Sequence, residues 1–163
     1  TILRAGKEVY RVRGDVLFTE SGLSGDAVFR ASSYAEAGDT AVLDLLPDVE
    51  QARIEAALRR GEGADCLLCL VNNGLGRFLY KKCEGDRRRL AALLKGFPVP
   101  LKGTLGFAYA QATRGGVPLS EVTDELESRL VPGLFFAGEM LNVDGDCGGY
   151  NLQWAFASAY IAS

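Results

Sequence analysis

Apolar and polar positions along this chain follow two rhythms, and the changes between them outline an α+β protein. From Lys7 to Thr19, Val, Tyr, Leu and Phe are spaced as in two short strands, broken at Gly14-Asp15. Thr19 to Asp26 is a small polar loop, and Ala27 to Ala35 has the spacing of a short helix. Thr40 to Leu46 is a further strand, ended by Pro47. The middle is helical. Asp48 and Gln51 are placed as an N-cap pair, Ile54, Ala57 and Leu58 form the apolar stripe, and Gly61 is the stop. Cys66 to Lys82 reads as two short helices divided near Asn73-Gly74. Asp86 caps a third helix that turns Leu90, Leu93 and Leu94 inward and closes at Gly96.

Extended signals return at Phe97, with Pro98 and Pro100, and Gly106 to Thr113 alternates well enough for a strand. Gly115-Gly116 cannot continue a strand cheaply. Gly133 to Gly138 is a short apolar run with the character of a buried strand. The last helix, from about Tyr150, is apolar nearly all round, and such a helix must be covered on several faces. No repeat or low-complexity segment interrupts the pattern. Strands, then helices, then strand–loop–helix predict two blocks, 1–100 and 101–163.

Composition narrows the classes. Hydrophobic residues make up 48% and charged ones 24%, which places the chain among globular proteins. A net charge of −3 argues against a nucleic-acid or anionic-membrane binder. No apolar run is long enough to span a bilayer, and Thr1-Ile2-Leu3-Arg4 does not open a signal peptide. The start in mid-pattern, at Thr, predicts a piece of a longer chain. Cys66, Cys69, Cys83 and Cys147 are too few for a disulfide framework in a domain of this size, so a reducing, cytoplasmic setting is expected. Cys66-Leu67-Leu68-Cys69 has redox or zinc spacing, but it lies in an apolar run without a second pair and reads as buried structural thiols. With no histidine, no Ser-His or Cys-His dyad and no histidine-bearing metal site can form within the chain. No metal site is predicted. Arg87-Arg88-Arg89 reads as a solvated helix face, and Gly22-Leu23-Ser24-Gly25 as a turn rather than a nucleophile elbow.

The segment with chemical potential is Leu134 to Gln153. A strand delivers Gly138-Glu139, a loop carries Asp144-Gly145-Asp146, and Gly148-Gly149 turns into an apolar helix. Paired glycines at a helix entrance let a flat or phosphorylated ligand approach free backbone N–H groups. A carboxylate at the strand end can accept bonds from ribose or ribityl hydroxyls. The same residues also suit a tight turn feeding a core helix, and locally the two readings stand level.

Wider motifs separate them. Val131-Pro132-Gly133-Leu134-Phe135-Phe136-Ala137-Gly138-Glu139, Val143-Asp144-Gly145 and Gly148-Gly149-Tyr150-Asn151-Leu152-Gln153-Trp154-Ala155 together resemble the C-terminal signature of the aminoacetone-oxidase-like (BaiN-type) family of NAD(P)/FAD-dependent oxidoreductases. Leu17-Phe18-Thr19, Ser21 to Gly25, Asp44 to Asp48 and Ala112 to Val117 agree in the family's order, so the resemblance covers nearly the whole chain. It implies a Rossmann-type FAD domain built from both ends of a longer chain, with a β-rich and helical domain inserted between. Residues 1–100 would be much of the substrate-side insert, and 101–163 the return into the FAD domain. The resemblance also implies FAD as cofactor, with Gly138 and Glu139 near its ribityl or pyrophosphate portion. Gly148, Gly149, Tyr150, Asn151 and Leu152 would face the isoalloxazine ring, and Thr113, Gly115 and Gly116 would form a second turn beside the flavin. It assigns no catalytic residue, since hydride chemistry would belong to the cofactor.

Two departures stand out: Glu20 where the family has His, and Asp26 where it has Pro. The larger one is the lack of G-x-G-x-x-G after a strand, the cradle for an adenine dinucleotide. The chain alone is therefore expected to bind FAD weakly or not at all and to be inactive. The expectation is part of a flavoprotein oxidoreductase acting on a small organic substrate, with NAD(P)H as a candidate electron donor and oxygen as a candidate acceptor left open, and neither nucleic acid nor membrane as partner. Self-association through uncovered apolar surface is also expected. The competing reading is a non-catalytic interaction or regulatory module that keeps a flavoprotein-like fold.

Overall fold

The computed structural model describes all residues, 1–163, and its α+β character agrees with the sequence pattern. The chain divides into two compact units, Thr1–Arg11 with Ala35–Lys102, and Val12–Tyr34 with Gly103–Ser163. The chain passes between the units three times, after Arg11, Tyr34 and Lys102. Residues 12–34, expected with the first block, group instead with the C-terminal part.

The first unit is a four-stranded antiparallel sheet in the order β2-β1-β5-β6, made of β1 (Ile2–Arg4), β2 (Lys7–Tyr10), β5 (Thr40–Leu43) and β6 (Phe97–Pro100). β6 carries Pro98 and Pro100 at the sheet edge, where a missing N–H is tolerated. Leu43, Phe97 and Val99 pack against α2 (Gln51–Leu58), α3 (Asn73–Lys82) and α4 (Arg87–Lys95). Each helix contributes residues at helical spacing: Ile54 and Leu58, Leu79 with Cys83 just beyond the helix end, then Leu90, Ala91 and Leu94. All seven are fully buried. Burying each leucine contributes about 1.5–3 kcal/mol.

Beside the sheet, Asp39 is buried and holds Arg4 through two bonds, Nε to Oδ1 and Nη2 to Oδ2, both 3.0 Å. It also accepts the Glu36 N–H at 2.8 Å. The Arg4 guanidinium, and after it that backbone donor, hold the Asp39 carboxyl below the usual aspartate range.

Caps and breaks refine the helical reading. Asp86 accepts the Arg88 and Arg89 N–H groups at 2.9 and 3.2 Å, as expected of an N-cap. Asp48 is not the cap of α2; Glu50 occupies that position and its side chain makes no capping bond. The break between the two middle helices falls earlier than Asn73-Gly74. A 3-10 turn over Gly63–Leu67 ends first, and Asn72 caps α3 by accepting the Gly74 N–H at 2.8 Å. Cys66 is buried, and burial pushes its thiol up, but Cys69 is exposed with φ 66°. The expectation of two buried thiols in one helical run is therefore wrong for Cys69. No group of three or more Cys, Asp or Glu is placed to hold a metal.

In the second unit, the polar loop before residue 26 proves to be a hairpin, β3 (Leu17–Thr19) paired with β4 (Gly22–Ser24), followed by α1 (Asp26–Ser32). Two strands read from the sequence are absent. Gly106–Thr113 holds only a 3-10 turn over Phe107–Tyr109, with Phe107 84% exposed. Gly133–Gly138 forms no strand, only one antiparallel bridge from Phe135 to Glu127. Alternation and an apolar run make a strand only where an extended partner edge exists. Gly133–Gly138 meets only the short stretch 126–128, through Ser128 N–H to Leu134 O at 2.7 Å and Phe136 N–H to Leu126 O at 3.0 Å, and Gly106–Thr113 pairs with no strand. A small core of Val122, Leu126 and Leu141 is covered by Phe136, Val143 and Trp154. The last helix, α5 (Tyr150–Ile161), leaves Tyr150, Leu152, Phe156 and Tyr160 exposed. No helix is long and apolar enough to cross a membrane.

Candidate functional site

The residues singled out in the sequence fall on three segments of the second unit, tied together largely through backbone groups. Gly138 lies in a 3-10 turn, Gly138–Met140, at φ 68°. Its N–H donates to Ser158 Oγ at 2.7 Å, and its carbonyl accepts Trp154 Nε1–H at 3.2 Å. Ser158 is fully buried and donates its own O–H to the Trp154 carbonyl at 2.6 Å. Gly138 is thus held by α5 through both of its flanking peptides, which fixes where the next residue, Glu139, leaves the chain. Neither Ser158 nor Trp154 was singled out in the sequence as a site residue. The available signal was a hydroxyl inside an otherwise apolar helix, one turn after an indole that needs an acceptor.

Glu139 is exposed, and its carboxylate accepts the Thr113 N–H. The Gly115-Gly116 turn is pinned to the same segment, because the Val117 N–H donates to Met140 O and the Asn142 N–H to Val117 O, both at 2.8 Å. Gly116 has φ 114°, and a Cβ there would lie 2.5 Å from the Met140 carbonyl oxygen. Only glycine fits that approach. Thr113, Gly115, Gly116, Gly138 and Glu139 are therefore brought together.

The third segment is the entrance to α5. Asn151 clamps Gly145 in both directions, accepting its N–H at 2.8 Å and donating to its carbonyl at 3.0 Å. Its side chain is therefore spent on the loop. Gly149 is the N-cap in a left-handed conformation, φ 95° and ψ −4°, and no side chain caps the helix. Gln153 N–H returns to Gly149 O, so the N–H groups of Tyr150, Asn151 and Leu152 are left without a protein acceptor. Asp144 sits on the preceding loop, 3.8 Å from Arg114 Nε, and accepts the Ser33 hydroxyl at 3.4 Å. Arg114 also donates to the Ser33 carbonyl, which joins the glycine-turn segment, the α5 entrance loop and the end of α1.

The donor set defines what can bind. Three free N–H groups at the positive end of a twelve-residue helix, beside glycines without side chains, suit a flat ring with a polarised carbonyl. Asp144 and Asp146 in the adjoining loop make the entrance less suited to a diphosphate. The residues therefore fit the ring portion of a flavin, and no G-x-G-x-x-G stands in the chain to cradle the rest of FAD.

Comparison with known proteins bears on this arrangement. The family model described as HI0933-like protein Rossmann domain matches residues 11–163. A ribosomal RNA dihydrouridine synthase of Escherichia coli (strain K12) is 34% identical over 167 residues, covering 93% of this chain and 42% of that protein. A 3-dehydro-bile acid delta(4,6)-reductase of Clostridium scindens is 32% identical over 176 residues, covering 91% of this chain and 43% of that protein. A ribosomal RNA dihydrouridine synthase of Haemophilus influenzae is 30% identical over 174 residues, covering 97% and 43%. The chain thus spans about two-fifths of the length of these relatives, which are enzymes of the oxidoreductase type. With the motifs and the matched length in agreement, the chain belongs to the HI0933-like Rossmann-domain family of flavoprotein oxidoreductases.

Proposed function

We propose that the chain supplies the ring-facing part of a FAD site in a larger reductase, whose reaction moves hydride to a carbon–carbon double bond activated by a neighbouring carbonyl. The observation that carries this reading is the uncapped entrance of α5, with three free N–H groups behind Gly148-Gly149. When bound, the flavin would supply hydride transfer. The protein's part is to hold the ring and to stabilise negative charge on it through the helix N-terminus. Gly138 and Glu139 would take the ribityl side, and Thr113, Gly115 and Gly116 the opposite edge.

The relatives' names support the substrate chemistry. Dihydrouridine is uridine reduced at a ring double bond, and a delta(4,6)-reductase likewise acts on double bonds. Between them they offer two bearers of such a bond, a base in RNA and a bile acid.

Flavin absorbance of the whole protein tests the site. Gly149→Val, which places a branched side chain at a left-handed position on the approach to the ring, is expected to reduce flavin retention at least tenfold. The isolated chain is expected to lose its flavin on dialysis. Full retention by the Gly149→Val protein would overturn the assignment.

A further inference from the structure

The net charge of −3 hides an uneven distribution. Residues 51–95 hold ten of the eighteen basic residues and only five of the twenty-one acidic ones, a local net charge of +5. Within the first unit, the fold collects much of this at one end of its helical layer. The C-terminal turn of α2 brings Arg59 to Arg87 and Arg88 around a hollow of about 120 Å³. The last turn of α3 brings Lys82 to Arg89 around a second hollow of about 400 Å³, with Ala92, Leu93 and Pro98 in its wall. The first turn of α4 lies between the two.

These cations are not used by the fold. Arg59, Lys82, Arg88 and Arg89 are exposed and join no ion pair, whereas Arg4, Arg11 and Lys95 of the same unit each meet a carboxylate. Arg87 alone has a structural bond, to the Gly61 carbonyl at 2.8 Å. Two carboxylates, Glu55 and Asp86, stand against the five cations Arg59, Lys82, Arg87, Arg88 and Arg89, so the group keeps a positive excess. Glu55 lines the smaller hollow, and Asp86 is engaged by the backbone N–H groups of Arg88 and Arg89. Three arginines also occupy the first turn of α4, where the helix macrodipole disfavours positive charge. A face kept merely soluble would intersperse both signs.

An aromatic ring completes the surface. Phe78 is 51% exposed one turn before Lys82, whose Nζ lies 6.0 Å from the ring centroid. The ring is also braced edge-on against Phe97 at 6.3 Å and 74°. Unpaired cations flanking an exposed ring and an apolar wall form the chemistry that takes phosphates and stacks a base. We infer that this end of the helical layer binds a single-stranded or looped segment of RNA, with phosphates on Arg59, Lys82, Arg88 and Arg89 and a base against Phe78. The choice of RNA over DNA rests on one of the two substrate bearers named in the proposed function, a base in RNA; the surface itself owes nothing to the flavin. The inference sets aside the expectation drawn from whole-chain charge, which averages over two oppositely charged regions.

Fluorescence anisotropy of a labelled uridine-rich single strand of about 20 nucleotides, titrated with the full chain at several salt concentrations, tests it. Binding is expected to weaken with salt at a slope near −3, corresponding to about four phosphates on a single strand. Arg88→Ala with Arg89→Ala is expected to lower affinity about tenfold and flatten the slope by more than one. Lys7→Ala with Lys102→Ala, the same change in net charge elsewhere, is expected to leave both unchanged. A thermal melt checks that each variant is folded. Absence of binding, equal losses in the two double variants, tighter binding of the matching DNA, or equal competition by polyglutamate would each overturn the inference. Flavin absorbance of the whole protein is read separately, so failure of one reading does not imply failure of the other.

Discussion

At the scale of single residues, several assignments turn on one buried polar contact or one carbonyl. Ser158 sits between the Gly138 N–H and the Trp154 carbonyl. In Ser158→Ala the Gly138 donor keeps its burial and loses its acceptor, at a cost of about 1–3 kcal/mol. Denaturant unfolding of the chain is expected to show that loss as a lower midpoint without a change in slope. Asp39 offers a pH-dependent counterpart. Its carboxyl lies below its unfolded value, so its contribution is complete above the ordinary aspartate range, about pH 4, and is lost as pH falls through the lowered value. Melts of Asp39→Asn are expected to show destabilisation at neutral pH that narrows towards wild type in acid. Gly116→Ala meets the Met140 carbonyl and an unfavourable φ together, so a loss of more than about 1 kcal/mol is expected in the same unfolding measurement.

At the scale of elements, the helices were the most legible part of the sequence. Asp86, Leu90, Leu94 and Gly96 mark α4 because its cap, buried stripe and stop are all local signals. Leu94→Ala is expected to destabilise the chain by about 2–5 kcal/mol, since the position is fully enclosed. Strands were legible only where a sheet took them up. Thr40–Leu43 finds β1 and β6, whereas Leu134 and Phe135 carry the composition of a buried strand and stay nearly half exposed. The site divided in the same way. The glycine turns were readable because glycine itself is the signal, but Ser158 reads in sequence as a tolerated small residue. Its role appears only when Gly138 is brought against α5. The paired Arg59 and Arg87 were equally hidden, lying twenty-eight positions apart in the chain.

At the scale of the whole molecule, α5 and residues 130–135 leave a set of large apolar side chains uncovered, Leu130, Leu152, Phe156 and Tyr160 among them. The isolated chain is expected to self-associate as its concentration rises, and light scattering would show it. Phe156→Glu, on the exposed side of α5, is expected to reduce that association while leaving the melting temperature within about 2 °C. An unchanged scattering curve would place the sticky surface elsewhere.

Trp154 is the sole tryptophan of the chain, and its indole is bonded to the Gly138 carbonyl within the proposed flavin-facing segment. All indole emission therefore originates from one place, beside the peptide that orients Glu139. A bound flavin absorbs near-ultraviolet light where indole emits, so occupancy would register as quenching without any label. Undocking of α5 would register instead as a red shift, because the ring would leave its packed position for water. The protein thus carries its own gauge of whether the site is assembled and whether it is filled.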